Sequence, residues 1–260
     1  MAVTRPPGAY FVTRTVRALE LLAFGPLSAP QLASAMQISV RTARRMLWRL
    51  ADEEYVTQLD EPRRRYALTP RLVAIAGQWL EHSELPRLAA PFVALLHART
   101  KLSAHLVAPS YDRVVCLLHS NDAGVPEPRL RELVPAHCTA GGKALLAERE
   151  RWRSSLLSTP LRAYTERTLT EPTALEREAL ATRQRGYAVE DGEYRAGVRA
   201  VAAAVHDRGG AAIAAIGVSV AGDLDVETIG HDVRRTAAQL SAGLAEYTPP
   251  HPPRAPSARR

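Results

Sequence analysis

The chain has 260 residues, of which 46% are hydrophobic and 23% charged, the balance of a soluble globular protein with room for one small module and one larger domain. Its longest apolar run, around Ala211 to Ala221, is broken by Gly217 and Ser219 and is too short to cross a bilayer, and MAVTRPPGAYFVTR lacks the apolar centre of a signal peptide, so a cytoplasmic protein with no membrane partner is expected. The net charge of +7 is uneven: residues 1–75 hold eleven Arg against six acids (+5), residues 76–247 twenty Lys and Arg against twenty-one acids (−1), and residues 248–260 three Arg, which points to an N-terminal module that meets a polyanion.

From Tyr10 to Glu20 the apolar positions Val12, Val16 and Leu19 recur at helical spacing and Gly25-Pro26 stops the pattern. Ser28 caps a second helix, with Pro30 in its first turn and Leu32, Ala33 and Met36 as its apolar stripe. After a break at Gln37-Ile38, Ser39 caps a third helix in which Ala43, Met46, Leu47 and Leu50 share one arc and Arg41, Arg44, Arg45 and Trp48 are turned outward. YVTQLD and RRYALT, separated by Glu61-Pro62-Arg63, then read as a short hairpin. Three helices and a hairpin in this order make a winged helix-turn-helix. A connecting helix is expected from Arg71 to about Glu84, ended by Pro86.

Beyond it the pattern predicts a helix at Ala89–Thr100, strands at Ser103–Ala108 and Arg113–His119, an irregular stretch from Pro126 to Pro135, and a glycine loop, Thr139–Gly142, that opens the helix KALLAERERWRSSLL. A helix at Ala174–Arg185, strands at Tyr187–Glu190, Val198–His206 and Ala211–Val220, and a final amphipathic helix from Val226 to about Tyr247 follow. Strands and helices do not alternate strictly, so the expected class is α+β, with helices packed on an antiparallel sheet. The expected division is a winged helix domain at 1–75, a linker helix at 76–85, an effector and oligomerisation domain at 86–247, and a disordered proline and arginine tail at 248–260.

A helix enters the major groove when its outer face carries donors for phosphates and base edges while its inner face anchors it. The third helix meets both demands: Arg41 and Arg45 lie on one stripe with Arg44 beside them, and Ser39, Val40 and Thr42 sit at the N-terminus, where hydroxyls and free amides favour a phosphate. Arg63, Arg64 and Arg65 of the hairpin reach the neighbouring backbone on this reading. The same residues also suit a solvated basic face. TAGGKALLA falls short of a nucleotide phosphate loop, since His137 stands where the first glycine is required and Ala144 where a hydroxyl would hold magnesium. What remains is either a tight turn or a seat for a small carboxylate on the amides of Ala140, Gly141 and Gly142. Cys116 and Cys138 do not make a disulfide framework, and no CxxC, HxH or HExxH spacing exists, so neither metal nor cofactor is expected. The rival class is a metabolic enzyme with Cys138 as nucleophile and the basic module as accessory.

Three stretches, TVRALELLAFGPLSAPQLASAMQISVRTARRMLWRLADEEYV with RRYALTPRLVAIA, PAHCTAGGKALLA, and GYAVEDGEYRAGVRAVAAAVHDRGGAAIAAIGVSVAG, resemble in order and spacing the IclR family of bacterial transcriptional regulators over about residues 10–247. The resemblance implies a dimeric or tetrameric regulator of a double-stranded DNA operator, with a GAF-like domain that binds small organic acids or aromatic compounds. By position it implies a pocket lined by Ala140, Gly141, Glu190, Asp191, Val198, Ala200, Gly217 and Ser219. The chain departs from the family pattern at Gln37, where glycine is common, at Ala204, where proline is usual, and at Gly217, where a hydroxyl is often found. With Glu190 and Asp191 repelling a second negative charge and Gly217 leaving room for a ring, a monoanion with a hydroxyl or an aromatic ring is the expected effector.

Overall fold

The computed structural model describes residues 7–59, 64–120, 124–127 and 133–246. The chain falls into two compact units, Met1–His82 and Ser83–Arg260.

The first unit runs α1 (Pro7–Leu22), β1 (Leu27–Ser28), α2 (Ala29–Met36), α3 (Val40–Asp52), β2 (Val56–Gln58), β3 (Arg65–Leu68) and α4 (Arg71–His82). Ser28 and Gln31 form a reciprocal capping box, Gln31 N donating to the Ser28 hydroxyl at 3.4 Å and Ser28 N to Gln31 Oε1 at 2.9 Å. Gln37 ends α2 in the left-handed region (φ 53°), a conformation that costs a side chain roughly 1 kcal/mol and explains why glycine is common there. Two residues on, Ser39 accepts from Thr42 N at 3.2 Å and starts α3. Leu32 and Ala33 of α2, Ala43, Met46, Leu47 and Leu50 of α3, and Val56 close one core. The strands pair antiparallel in the order β1-β3-β2, with Gln58 opposite Tyr66 and Leu27 on Tyr66's other side. The hairpin turn at 60–63, with Arg63, and the tail at 248–260 lie outside the described residues.

The second unit is built of α5 (Glu84–Thr100), β4 (Ser103–Ser110), β5 (Arg113–Ser120), β6 (Pro126–Glu127), β7 (Leu133–Pro135), α6 (Ala140–Glu148), α7 (Glu150–Leu157), α8 (Pro172–Arg185), β8 (Ala188–Asp191), β9 (Val198–His206), β10 (Ala212–Ala221) and α9 (Val226–Glu246). Among the described residues the strands form one antiparallel sheet in the order β6-β5-β4-β10-β9-β8, with β7 beside β5. Alternation splits its side chains between two layers. Leu106, Val201, Val205, Ile216 and Val218 meet Val93 and Leu96 of α5 and Val233 and Leu240 of α9. On the opposite face Val107, Val114, Ala200, Ala202 and Ala215 meet Ala144 and Leu145 of α6 and Leu175 of α8. The small side chains of that face let α6, buried from Ala140 to Ala147, lie close to the strands.

Four local expectations are corrected. Pro86 does not end the connecting helix: the chain breaks at Ser83, and Pro86 sits in the first turn of α5, where the missing N–H costs nothing. Ala140–Gly142 are not a loop but the first turn of α6, and the helix after them is divided at Arg149. The stretch from Pro126 to Pro135 includes two short strands, β6 and β7.

Candidate functional site

Two surfaces carry the chemistry, one in each unit. On α3 the buried stripe forces Val40, Arg41, Arg44, Arg45 and Trp48 into solvent. Among the described residues no carboxylate pairs with Arg41, Arg44 or Arg45, so their charges are available to a polyanion. The hydroxyls of Ser39 and Thr42 hydrogen-bond each other at 2.8 Å and complete the cap. Arg64 and Arg65 are exposed at the start of β3.

In the second unit a cavity of about 200 Å³ lies between the sheet and the start of α6. Its floor is His105 and Val107 of β4, Val114, Cys116 and His119 of β5, Ser219 of β10, Val198 and Ala200 of β9, and Glu190 of β8; its roof is Thr139, Ala140 and Gly141, with Val134, Tyr194 and Arg195 at the sides. Register orders the polar groups across the floor. Ser219 pairs with Ala200, and Ala200 with Glu190, while His105 pairs with His119, so the carboxylate and the imidazoles stand at opposite ends. An extra residue, Leu117, in β5 turns both Leu117 and Leu118 toward α5 and brings His119 round to the cavity face.

Burial governs the electrostatics. His105 is held neutral, its pKa lowered to about 4 by desolvation and then by the neighbouring His119. Glu190 is 5% exposed, and desolvation pushes its pKa up to about 7 although Ala140 N and Tyr194 N donate to its two oxygens at 3.3 and 3.4 Å. Behind the roof Lys143 is 2% exposed, with Nζ on Glu193 and 3.6 Å from Glu178, which in turn binds Arg185 at 2.6 Å. Desolvation also raises Glu193.

Of the residues expected at the pocket, Ala140, Gly141, Glu190, Val198, Ala200 and Ser219 meet around the cavity, and Gly142, Asp191 and Gly217 do not line it. A Cβ on Gly142 would lie 2.1 Å from Ala136 O, so this glycine serves the close approach of α6 to the preceding chain. Asp191 turns to the other side of the strand, where Arg167 and Arg199 hold it at 2.6 and 2.8 Å and the hydrogen bond from Arg199 lowers its pKa. A Cβ on Gly217 would meet Val201 O at 2.3 Å, so the space expected for a ring is filled by β9. The amide seat is also taken: Ala140 N already holds the protein's own carboxylate, Glu190. His105, His119, Tyr194 and Arg195 were not expected at the site. Ser103, His105 and Val107 on alternate positions of an apolar strand were the available signal; for His119 the irregularity in β5 hid it. Cys138 is fully buried and desolvation pushes its thiol up to about 12, which leaves no thiolate for a nucleophile. Among the described residues no cluster suits a metal ion, and no helix is long and apolar enough to cross a membrane.

A winged helix module with a basic outer face, joined in one chain to an antiparallel α+β domain that carries a polar-ended cavity, is the architecture of a ligand-responsive transcriptional regulator. Residues 77–242 match the family "Bacterial transcriptional regulator IclR C-terminal". The chain belongs to the IclR family, and its second unit is the family's GAF-like effector domain. It is similar to the glycerol operon regulatory protein of Streptomyces coelicolor, 31% identical over 210 residues that cover 79% of this chain and 82% of that one. The fold is similar to that of an IclR transcriptional regulator from Alicyclobacillus acidocaldarius (TM-score 0.73, 25% identity, 92% of this chain and 99% of that one). It is also similar to that of an IclR homolog from Microbacterium hydrocarbonoxydans in complex with 4-hydroxybenzoate (TM-score 0.70, 23% identity, 90% and 98%).

Proposed function

We propose that this regulator is a cytoplasmic homodimer, or a pair of such dimers, that reads its operator with α3 and the basic hairpin and releases or grips it when a small monocarboxylic acid occupies the cavity. The single observation that carries the reading is the cavity itself, set between the sheet and α6 of the effector domain, apolar along Val107, Val114 and Val134 and polar at its two ends. Arg41, Arg44 and Arg45, with Ser39, Val40 and Thr42 at the helix start, contact the DNA, and Arg63, Arg64 and Arg65 add backbone contacts. Ala140, Gly141, Glu190, Val198, Ala200 and Ser219 contact the effector, with His105, His119 and Arg195 added.

The exposed Val73, Ile75 and Trp79 of α4 support self-association, because a helix with this much apolar surface and no buried residue calls for a partner. The working division is DNA reading by residues 1–75, a linker helix at 76–85, effector binding and assembly by 86–247, and a tail at 248–260. A regulator rather than an enzyme is supported by the inert Cys138 and by the regulator named among the relatives. The test is a titration of the full chain on the DNA upstream of its own gene, with and without 4-hydroxybenzoate and a panel of other small monocarboxylates. A shift in operator affinity with at least one acid is expected, on the order of 5- to 150-fold for a coupled site. Unchanged affinity with every acid tested overturns the reading.

A further inference from the structure

The lysine of TAGGKALLA serves no nucleotide, yet it is one of the least exposed charged side chains in the second unit. Glu190 and Glu193 are buried and Glu178 is half-buried, and the cations that pair with Glu193 and Glu178 are Lys143 and Arg185. Glu193 Oε2 has no hydrogen-bond partner among the described residues. Lys143 and Arg185 are thus taken up by Glu193 and Glu178, and among the described residues no cation pairs with the buried Glu190, for which the least costly remedy is a retained proton.

Glu190 is the member placed to hold that proton. Glu193 touches the Lys143 ammonium, and Glu178 is shared between Lys143 and Arg185, whereas Glu190 has two long amide hydrogen bonds and faces the cavity. The other groups that face it are His105 and His119 from β4 and β5, Arg195 from the turn after β8, with its guanidinium 5.2 Å from the Tyr194 ring, and the protonated Cys138 thiol behind. Asp191 takes no part, being paired on the opposite side. Burial, and after it Glu193, raise the Glu190 pKa to about 7 against the two amide hydrogen bonds and Lys143.

Resting on the cavity as the effector site, we propose that Glu190 is its specificity-determining residue: the effector domain takes a carboxylate together with one proton, which Glu190 holds and donates as a hydrogen bond to the bound acid, while Lys143 and Glu193 set the pH at which that proton is available. No covalent bond changes; one proton passes from solvent to Glu190 as the anion enters. A carboxylate is thereby bound beside a carboxyl group without like-charge repulsion.

The experiment is calorimetric titration of the full chain with 4-hydroxybenzoate and the other monocarboxylates of the panel between pH 5.5 and 9, in buffers of different ionisation enthalpy. In the wild type, affinity is expected to fall about tenfold per pH unit above neutrality, with close to one proton taken up per ligand at pH 8 and little at pH 5.5. E190Q, whose amide donates at every pH, is expected to lose both the slope and the uptake. E193Q moves the break to lower pH by removing the carboxylate that raises Glu190, K143M moves it to higher pH, and K143M/E193Q, which removes a charge of each sign, returns it toward the wild-type position. Displacements of opposite sign are not the signature of general destabilisation, and E193Q and the double variant keep the test open if K143M does not fold. Wild-type binding without proton uptake, or an E190Q variant with the wild-type slope, overturns the proposal and leaves the cavity reading intact. No binding of any of these acids at any pH overturns both.

Discussion

The two units put their charges to opposite use. In the first, the core of Leu32, Met46, Leu47 and Leu50 is wholly apolar and every arginine of α3 stands in water. In the second, the decisive charges, Lys143, Glu190 and Glu193, are inside. A polyanion must be met from outside, over a broad face and in high dielectric, where each contact is weak and contacts add. A small acid must be enclosed, where one carboxylate and one proton weigh heavily. On the proposed roles, surface charge for a large partner and buried charge for a small one go with different sensitivities: salt in the first unit, pH in the second.

The largest expected effects break the comparison at its foundations. Leu47→Ala in α3 and Leu145→Ala in α6 each remove a fully buried side chain and should cost about 2–5 kcal/mol. Calorimetry of the full chain is expected to show the first lowering the melting of the DNA-reading unit with acid binding retained, and the second lowering that of the effector unit. If both variants shift one common transition by the same amount, the two units do not fold separately.

Next in size is the pH dependence of stability. Because the Glu190 pKa is raised in the folded state from 4.5 to about 7, its contribution is fully present below about 4.5 and is lost as pH rises through about 7. That loss is on the order of 3 kcal/mol. E190Q cannot ionise, so denaturant unfolding of the effector unit should find it more stable than wild type at pH 8–9 and equal to it near pH 4. An identical pH profile for the two would remove Glu190 as the buried acid.

Smaller again is the loss expected on the DNA side. Arg41→Ala or Arg45→Ala should cost about 1–3 kcal/mol in operator affinity if the arginine makes a bidentate base contact, with melting nearly unchanged. Wild-type affinity in both variants at fixed salt would take α3 out of the groove. The gentlest effect belongs to the hairpin, where neutralising Arg63, Arg64 and Arg65 should lower the slope of log affinity against log salt by roughly 0.9 for each phosphate that no longer meets an arginine. An unaltered slope would leave the hairpin arginines as a solvated surface.

What the sequence determined by itself is the first unit almost entirely. The Ser28 and Ser39 caps, the Gln37 break and the apolar arc from Ala43 to Leu50 are local relations within one or two helical turns, and the outward direction of Arg41, Arg44 and Arg45 follows once that arc is buried. In the second unit alternation fixed the strands, and the chemistry of the site was decided elsewhere. Glu190 reaches the amide of Ala140, fifty residues away, and becomes a buried acid only because β8 and α6 pack together. His119 joins His105 only because β5 absorbs one extra residue, and Asp191, next in sequence to Glu190, faces the other way because a strand alternates. Nor could a glycine disclose its purpose from its position: Gly217 gives its space to β9, and Gly142 gives its own to the backbone of Ala136. A helix face is a property of neighbours in sequence, whereas a cavity is a sum over strands and helices far apart in the chain, and only their packing decides which side chains it joins.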